Sequence, residues 1–356
     1  MSGNRLYHMW LDQVRQLCPT ARKTTICNFT WLLVGIYLSC SVQLSLIANK
    51  IPGRAKLHST VQRLRRLLQK RICVRKWYDP TAREIIRSQA KHGYVRLIVD
   101  ASKVSFHHQL LMVALAYRRR AIPIAWTWVK CKRGHSSAVK QLALLKYVHK
   151  LIPKGVSVSV VGDCEFGAVD ILRSLDAWQW RYVFRQKGDT LIDQTLHNQW
   201  QRFDSLIQSQ GQSLWFAQCF LTKKHVYRTN LLAHWKCGEK EPWLLATNFP
   251  SRREALRAYR RRMWIEEMFG DFKGHGFNLE DSHLRHFLRL SRLTLAVVLL
   301  YIWLVAFGSR TIKNGQRSLV DRADRRDFSI FRIGYNIVER RLANSQTLSI
   351  NLVPYF

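Results

Sequence analysis

Residues 94–102 read YVRLIVDAS, a short run of aliphatic and β-branched residues that ends at an acid. Residues 156–167, VSVSVVGDCEFG, repeat the pattern, so Asp100 and Asp163 each follow a run typical of an inner strand. In open α/β sheets, ligand sites gather at the carboxyl ends of the strands. The two runs therefore predict strands that present two carboxylates at one edge of a sheet.

The sequence around these runs predicts a mixed sheet. Residues 107–120 and 121–130 resemble a hairpin with an arginine-rich turn at 118–120. Helical patterns at 135–151 and 167–178 flank the second acidic run, and WRYVFRQKG, ending at Gly188, is a fifth strand. The order is three strands, helix, strand, helix, strand, which favours a mixed α/β fold.

The charge balance indicates a polyanionic partner. Lys and Arg number 58 against 23 acids, and the net charge is +35 at pH 7. Nucleic acid is the usual partner of such a chain, and an anionic membrane surface is the alternative. The longest apolar run, residues 293–308, is shorter than the ~20 residues of a spanning helix, so we expect a buried core helix.

Cysteine usage and the N-terminus favour a cytoplasmic protein. The eight cysteines include no CxxC pair and no finger-like Cys/His spacing, which predicts reduced thiols and no zinc site. The N-terminal residues lack the apolar core of a secretory signal. Together with the charge, this predicts a cytoplasmic location.

Three regions lie outside the predicted sheet. Residues 1–90 are helical in pattern, and a break at 50–56 precedes an arginine-rich helix. The two helices around the break fit either a DNA-binding helix-turn-helix or a helical hairpin with a solvated basic face. Residues 190–250 predict short strands separated by polar turns, and residues 311–356 form a basic tail.

A third acid lies in residues 259–273, YRRRMWIEEMFGDFK. On one helix, at about 100° per residue, Tyr259, Arg262, Glu266 and Lys273 fall within a stripe of roughly 60°. Glu267 falls off that stripe, so Glu266 is the acid presented among the basic side chains. A surface helix with ordinary salt pairs is the alternative.

Three carboxylates on two strands and a later helix suit divalent metal chemistry. Asp100, Asp163 and Glu266 could hold two Mg²⁺ ions about 3.5–4 Å apart and cleave a phosphodiester. Neighbouring Arg and Lys side chains would grip the flanking phosphates. Alternatively, Asp100 or Asp163 caps a helix or starts a turn.

The spacing of Tyr259, Arg262, Glu266 and Lys273 resembles the signature of bacterial transposases of the insertion-sequence-four family. The resemblance implies a ribonuclease-H-like mixed sheet core with a β-rich insertion and an N-terminal helical domain. It divides the chain into a helical, DNA-binding domain at 1–90, a first part of the catalytic core at 91–189 and an insertion at 190–250. A second core part at 251–310, with the glutamate helix, and a basic C-terminal tail at 311–356 follow.

The same resemblance implies roles for individual residues. Asp100, Asp163 and Glu266 would be the catalytic, metal-binding triad for two Mg²⁺ ions, with Mn²⁺ as a substitute. Tyr259, Arg262 and Lys273 would contact the end of the transposon. Trp243 would stack on a flipped base, and Arg185 would face DNA from a strand end. The implied partners are double-stranded DNA, as transposon ends and target, and a second copy of the chain in a homodimer.

The implied activity is cut-and-paste DNA transposition, in which a freed 3′-hydroxyl forms a hairpin and finally joins target DNA. Two other functions fit the residues less closely. One is a metal-dependent nuclease or resolvase, for which an insertion carrying Trp243 is not required. The other is a DNA-binding derivative without catalysis, which retention of all three acids disfavours.

Overall fold

A computed structural model of the chain describes residues 2–105, 108–130 and 135–356, and a mixed sheet of ten strands lies at its centre. The strands are β1 (Tyr94–Ser105), β2 (His108–Tyr117), β3 (Arg120–Lys130), β4 (Ser157–Gly162), β5 (Arg181–Arg185), β6 (Leu191–Asp193), β7 (Gln201–Arg202), β8 (Ser213–Leu221), β9 (Tyr227–His234) and β10 (Trp243–Thr247). Their order across the sheet is β3-β2-β1-β4-β5-β10-β9-β8-β6-β7.

Helices precede, connect and follow the strands. They are α1 (Ser2–Leu17), α2 (Lys23–Ser39), α3 (Leu44–Ala48), α4 (Leu57–Gln69), α5 (Val74–Ala90), α6 (Ala138–His149), α7 (Val169–Ala177), α8 (Arg252–Tyr259), α9 (Met263–Phe272), α10 (Phe287–Lys313) and α11 (Ile330–Ala343). Helices α6 and α7 pack on one face of the sheet, and α8 and α9 pack on the other. The sheet is therefore a buried layer between helices.

The first five strands confirm the mixed α/β fold. Strands β1, β2 and β3 form an antiparallel meander, and β4 and β5 run parallel to β1. The helices α6 and α7 cross over between β3 and β4 and between β4 and β5. This order and these directions are those expected of a ribonuclease-H-like core. The arginine-rich turn also forms, with Arg118 and Arg119 at positive φ of 43° and 65°.

Strand β1 is longer than the sequence predicts, and Asp100 is not its last residue. The pairing of β1 with β4 ends at Val99 and Gly162, whereas its pairing with β2 continues past Asp100. The hairpin partner extends β1 beyond the point where the acid suggested a strand end. Asp100 is thus the first residue of β1 beyond the end of β4.

The strands of residues 190–250 continue the same sheet. Strand β10 pairs antiparallel with β5, and β9 and β8 follow outward. The segment between the second and third acids therefore returns to the core before α8 begins. The division of the chain into domains remains a prediction.

Helix α10 is the long apolar helix, and it begins and ends beyond the predicted run. Within the described residues it is the one helix long and apolar enough to cross a membrane, yet 94% of its most apolar window is buried in the protein. It packs against β3, α2 and α11. Helix α10 is therefore the buried core helix that the sequence predicts.

The N-terminal helices differ in detail from the pattern. The helical pattern before the break at 50–56 is divided into α2 and α3, because Cys40, at φ 49°, ends α2. The connection between α3 and α4 spans residues 49–56, which is longer than the turn of about 3–4 residues in a helix-turn-helix. Helices α3 and α4 therefore do not form that motif in its usual geometry, and DNA binding by this region remains a prediction.

The C-terminal residues are more than a tail, because α11 packs closely on α10. Gly334 and Gly308 lie at the crossing, and a Cβ on Gly334 would stand 1.9 Å from the carbonyl oxygen of Leu304. Only glycine permits so close an approach. Each cysteine in the described residues is a free thiol, and Cys131 lies outside the described residues.

Candidate active site

The Asp100 carboxylate is largely buried, just beyond the point where the pairing of β1 with β4 ends. Its Oδ1 accepts a hydrogen bond of 2.8 Å from the backbone N–H of Ala101, and its side chain is 14% exposed. Burial raises the pKa of this carboxyl to about 7, and the Asp163 and Glu266 carboxylates add to the rise. The Arg262 guanidinium opposes it. The three predicted acids thus interact electrostatically at one place.

Asp163 directly follows β4 and leaves an oxygen without a donor. The 3-10 turn Cys164–Phe166 begins after it, but the Asp163 side chain makes no capping hydrogen bond. Its Oδ1 is buried and has no hydrogen-bond partner among the described residues. The capping alternative is therefore wrong for this side chain. A buried carboxylate oxygen without a donor is costly unless a cation reaches it.

Arg262 lies between the other two acids. Its Nη1 is 3.4 Å from Asp100 Oδ2, and its Nη2 is 2.7 Å from Glu266 Oε1. Burial lowers the pKa of this guanidinium, but Tyr259, Asp163, Asp100 and Glu266 together raise it above its usual value. Arg262 is thus a fixed cation among three acids, while Glu266 remains 45% exposed and open to solvent.

The signature residues do not lie on one continuous helix, so the predicted stripe is wrong in that respect. Helix α8 ends at Tyr259, Arg260–Arg262 form a 3-10 turn, and α9 begins at Met263. Arg262 and Glu266 still pair at the i,i+4 spacing of a helix across this junction, and Arg262 also reaches Asp100. A run of three arginines gives no signal of this break in the sequence.

Tyr259 points into the protein rather than along an exposed stripe. It is 3% exposed, and its ring packs edge-to-face on Trp243, with centroids 5.0 Å apart. Burial raises the pKa of its hydroxyl above the usual range. Trp243, at the start of β10, is partly buried and also contacts the ring of His234. The structure therefore places Trp243 directly against the signature tyrosine.

Lys273 and Arg185 each make their contacts away from the three acids. Lys273 caps α9, and its Nζ donates to the carbonyl of Lys103 at 2.7 Å and lies 3.8 Å from Glu280. Arg185, the last residue of β5, pairs with Glu241 at 2.9 Å. Arg185 also lines a cavity of about 420 Å³ together with Cys164, which adjoins Asp163. Neither residue contacts the three acids directly.

Glu165 is a residue that the sequence reasoning missed. Its Oε1 accepts from the backbone N–H and the hydroxyl of Ser136 at 2.7 and 2.6 Å, and its Oε2 accepts from Gln109 at 3.3 Å. These bonds tie the turn after Asp163 to β2 and to the residues before α6. The sequence shows only an acid two residues after Asp163, and nothing in the sequence distinguishes this acid from an ordinary turn residue.

The residues present fit divalent metal in part. Within residues 2–105, 108–130 and 135–356, no three His, Cys, Asp or Glu side chains form a group that could hold one ion. The donorless oxygen of Asp163, and the guanidinium that stands between Asp100 and Glu266, nevertheless mark places where positive charge is favoured. Carboxylate oxygens are the ligands that Mg²⁺ prefers.

Comparisons with known proteins complete the picture. No curated protein matches the sequence. Seven chains of solved structures match, among them a piggyBac transposase in a synaptic complex with hairpin DNA. That chain is 9% identical, with a TM-score of 0.42, over 99% of this chain and 83% of the other. At this level the likeness carries no conclusion about activity.

The comparison with protein families is decisive. Residues 91–303 match the family described as "Transposase DDE domain". The match spans more than half of the 356 residues and contains Asp100, Asp163 and Glu266. The chain therefore belongs to the transposase DDE domain family.

Proposed function

We propose that this protein is a cut-and-paste DNA transposase whose triad is Asp100, Asp163 and Glu266. The observation that carries the proposal is the gathering of these acids around Arg262 inside the matched transposase domain. Three acids and one cation leave the site short of positive charge. Membership in the insertion-sequence-four family, which the signature spacing suggests, is part of the proposal.

Asp100, Asp163 and Glu266 would hold the metal. Two Mg²⁺ ions, or Mn²⁺ in their place, supply activation of an attacking oxygen and stabilisation of the leaving oxygen when bound. The chain itself contributes the shape of the site: the backbone N–H of Ala101 orients Asp100, and the Glu165 hydrogen bonds fix the turn after Asp163. Preorganisation of this kind is what separates a catalytic site from a cluster of acids.

Arg262 would change partner during the reaction. In the structure its guanidinium neutralises two of the acids. When other cations neutralise them, the same guanidinium can turn to a DNA phosphate, for which its paired N–H donors are suited. Lys273 and Tyr259 would contact the same transposon end, and Arg185 would face DNA beside its cavity.

The proposed chemistry has four steps, each of which exchanges one phosphate–oxygen bond for another. Water attacks the phosphodiester at the end of the element, and the bond to the 3′-oxygen breaks to leave a 3′-hydroxyl. That hydroxyl then attacks the opposite strand, which closes a hairpin and releases the flanking DNA. Water reopens the hairpin, and the 3′-hydroxyl displaces a 3′-oxygen in the target. Trp243 would hold the base that the hairpin excludes, since base–aromatic stacking is worth ~1–3 kcal/mol.

The partners follow from this chemistry. The net charge of +35 suits DNA, both the ends of the element and the target. Joining two ends in one event requires two active sites, so we propose that a homodimer of this chain bridges them.

A cleavage and strand-transfer assay tests the proposal. Purified protein with Mg²⁺ or Mn²⁺ would act on DNA that carries the ends of the encoding element, next to the variants Asp163→Asn and Glu266→Gln. Glu267→Gln is the matched control, because Glu267 neighbours Glu266 but pairs with Arg120 at 3.0 Å. We expect excision and joining by the wild type and the control only.

Other outcomes would identify a different function. Cleavage without joining would indicate a metal-dependent nuclease. Specific binding of the ends without any cleavage would indicate an inactive DNA-binding derivative. Activity that survives Glu266→Gln would contradict the proposed triad.

A further inference from the structure

Helix α8 carries a basic face that the proposed site does not use. We define the α8 basic face as Arg253, Arg257 and Arg260, which are exposed and surround Leu256. Their spacing of four and three residues places them on one side of the helix. Together these four residues line an open groove of about 410 Å³.

The charge of this face is not compensated within the protein. Residues 252–262 contain six arginines and one acid, Glu254. That acid serves the start of the helix: its Oε1 accepts from the Ser251 hydroxyl at 3.4 Å, and the same hydroxyl accepts from the Glu254 backbone N–H at 3.3 Å. In the described part of the chain, none of the three arginines forms an ion pair. An ordinary solvated helix would instead alternate acids and bases at helical spacing.

Two further arginines continue the face inward, toward the sheet. Arg261 is half-buried, and burial together with Arg96 and Arg257 lowers the pKa of its guanidinium. The guanidinium of Arg96 lies 3.7 Å above the ring of Tyr94. Like charges held together at partial burial are destabilising unless an anion joins them.

The face is connected to the candidate active site through β1. Arg96 and Asp100 are four residues apart on this strand, so their side chains leave the same side of the sheet about 13 Å apart. Arg262, which contacts Asp100, directly follows Arg261 in the chain. The row of arginines therefore runs from the edge of the active site along α8.

We propose that the α8 basic face binds the phosphate backbone of duplex DNA beyond the cleaved position. This inference rests on the proposed function in taking DNA as the partner. The three arginines span about 10 Å along the helix, which corresponds to about three base-pair steps of ~3.4 Å. Arginine is the side chain suited to paired hydrogen bonds with phosphate.

The test is the salt dependence of DNA binding. The full chain with Arg253→Gln, Arg257→Gln and Arg260→Gln combined would be titrated onto a linear duplex of mixed sequence at several salt concentrations. Each lost phosphate contact lowers the slope of log affinity against log salt by about 0.9, so we expect the slope to fall by about 2 to 3.

A matched control removes the same charge elsewhere. Lys146, Lys150 and Lys154, all changed to Gln, are exposed and lie on or just after α6, on the other face of the sheet. We expect little change in slope for this control. Because the α8 arginines are exposed, both variants should keep the thermal unfolding midpoint of the wild type, which a circular dichroism melt checks.

Three outcomes would contradict the inference. An unchanged slope for the α8 variant overturns it, and so does an equal fall for both variants, since that would reflect net charge alone. Loss of binding to anionic vesicles with DNA binding intact would also overturn it. The cleavage assay on the wild type is separate: if cleavage fails while the α8 slope falls, the DNA-binding face stands and the proposed function does not.

Discussion

Two arginines contact α9, and each is held between two carboxylates. Arg262 lies between Asp100 and Glu266, at 3.4 and 2.7 Å. Arg120 lies between Glu267 and Asp271, with both distances 3.0 Å. Burial raises the pKa of Asp100 and of Asp271 to about 7. The two groups therefore contain the same kinds of side chain, one arginine between two carboxylates.

They differ in what surrounds them. Around Arg262 a third acid, Asp163, has a buried oxygen without a donor among the described residues. Around Arg120, the Asp271 carboxylate accepts from the guanidinium Nε and is nearly fully buried. The Arg120 group is complete as a structural bridge, whereas the Arg262 group is short of cations. That deficit, rather than a perturbed pKa, is what separates a candidate metal site from a structural ion pair.

The largest expected effect lies on the Arg262 side of the comparison. Asp163→Asn or Glu266→Gln should reduce DNA cleavage by at least about 10³-fold, the scale on which groups acting as a unit fail together. Glu267→Gln should keep cleavage within about tenfold of the wild type. Single-turnover cleavage rates measure both. Equal losses at Glu266 and Glu267 would erase the distinction between the two groups.

The Arg120 group should dominate stability instead. Arg120→Met leaves Asp271 buried without its partner, which should lower the free energy of unfolding by about 3–5 kcal/mol. Urea unfolding followed by circular dichroism measures this change. Restoration of most of the loss by the further change Asp271→Leu would support the pairing, because both charges are then gone. A loss of under about 1 kcal/mol in the single variant would contradict it.

Magnesium should separate the two groups further. In Arg262→Met the acids lack their internal cation, so Mg²⁺ that binds only the folded state should stabilise this variant by up to ~2.7 kcal/mol at a hundredfold excess over Kd. Arg120→Met should gain no more from Mg²⁺ than the wild type does. Thermal melts with and without Mg²⁺, with Ca²⁺-free buffer and EDTA as the baseline, provide the measurement. Equal gains in the two variants would argue against metal binding near Arg262.

The effect of pH is the smallest when it is measured over a single pH unit. The pKa of Asp271 is about 7 in the folded protein and ~3.9 in the unfolded chain, so the folded state binds more protons between these values. Its contribution to the free energy of unfolding is therefore largest below about pH 4 and is lost as the pH rises to about 7, at no more than ~1.4 kcal/mol per pH unit. Asp271→Asn should flatten the stability curve over that range. Parallel curves for variant and wild type would show that Asp271 is ionised throughout.

The sequence predicted much of the core, because its signals there are local. The alternation and β-branched content of 94–102 and 156–167 gave the two strands, and the acids marked their edge. It did not predict that β1 continues past Asp100, because that extension depends on the partner strand β2. The sequence of one strand alone does not show how far its pairing with a partner strand extends.

The site was predictable in its members but not in its geometry. Helical spacing selected Glu266 over Glu267, and the structure places the two in different ion pairs. The prediction of one straight helix was wrong, because a run of three arginines gives no sign of a 3-10 turn. The contact between Arg262 and Asp100 joins residues 162 positions apart in the chain, which no local spacing predicts.

The pairing of β10 with β5 has a consequence for solubility. Without it, β5 would end the sheet with a row of free backbone donors and acceptors, which is a template for aggregation. The added strands move that edge out to β7, which is only two residues long. At the other side, β3 carries Pro123 beside a bulge in its pairing with β2. A short strand and a proline both discourage pairing with a second molecule. Both edges of the sheet are thus protected against edge-to-edge pairing with a second copy of the chain.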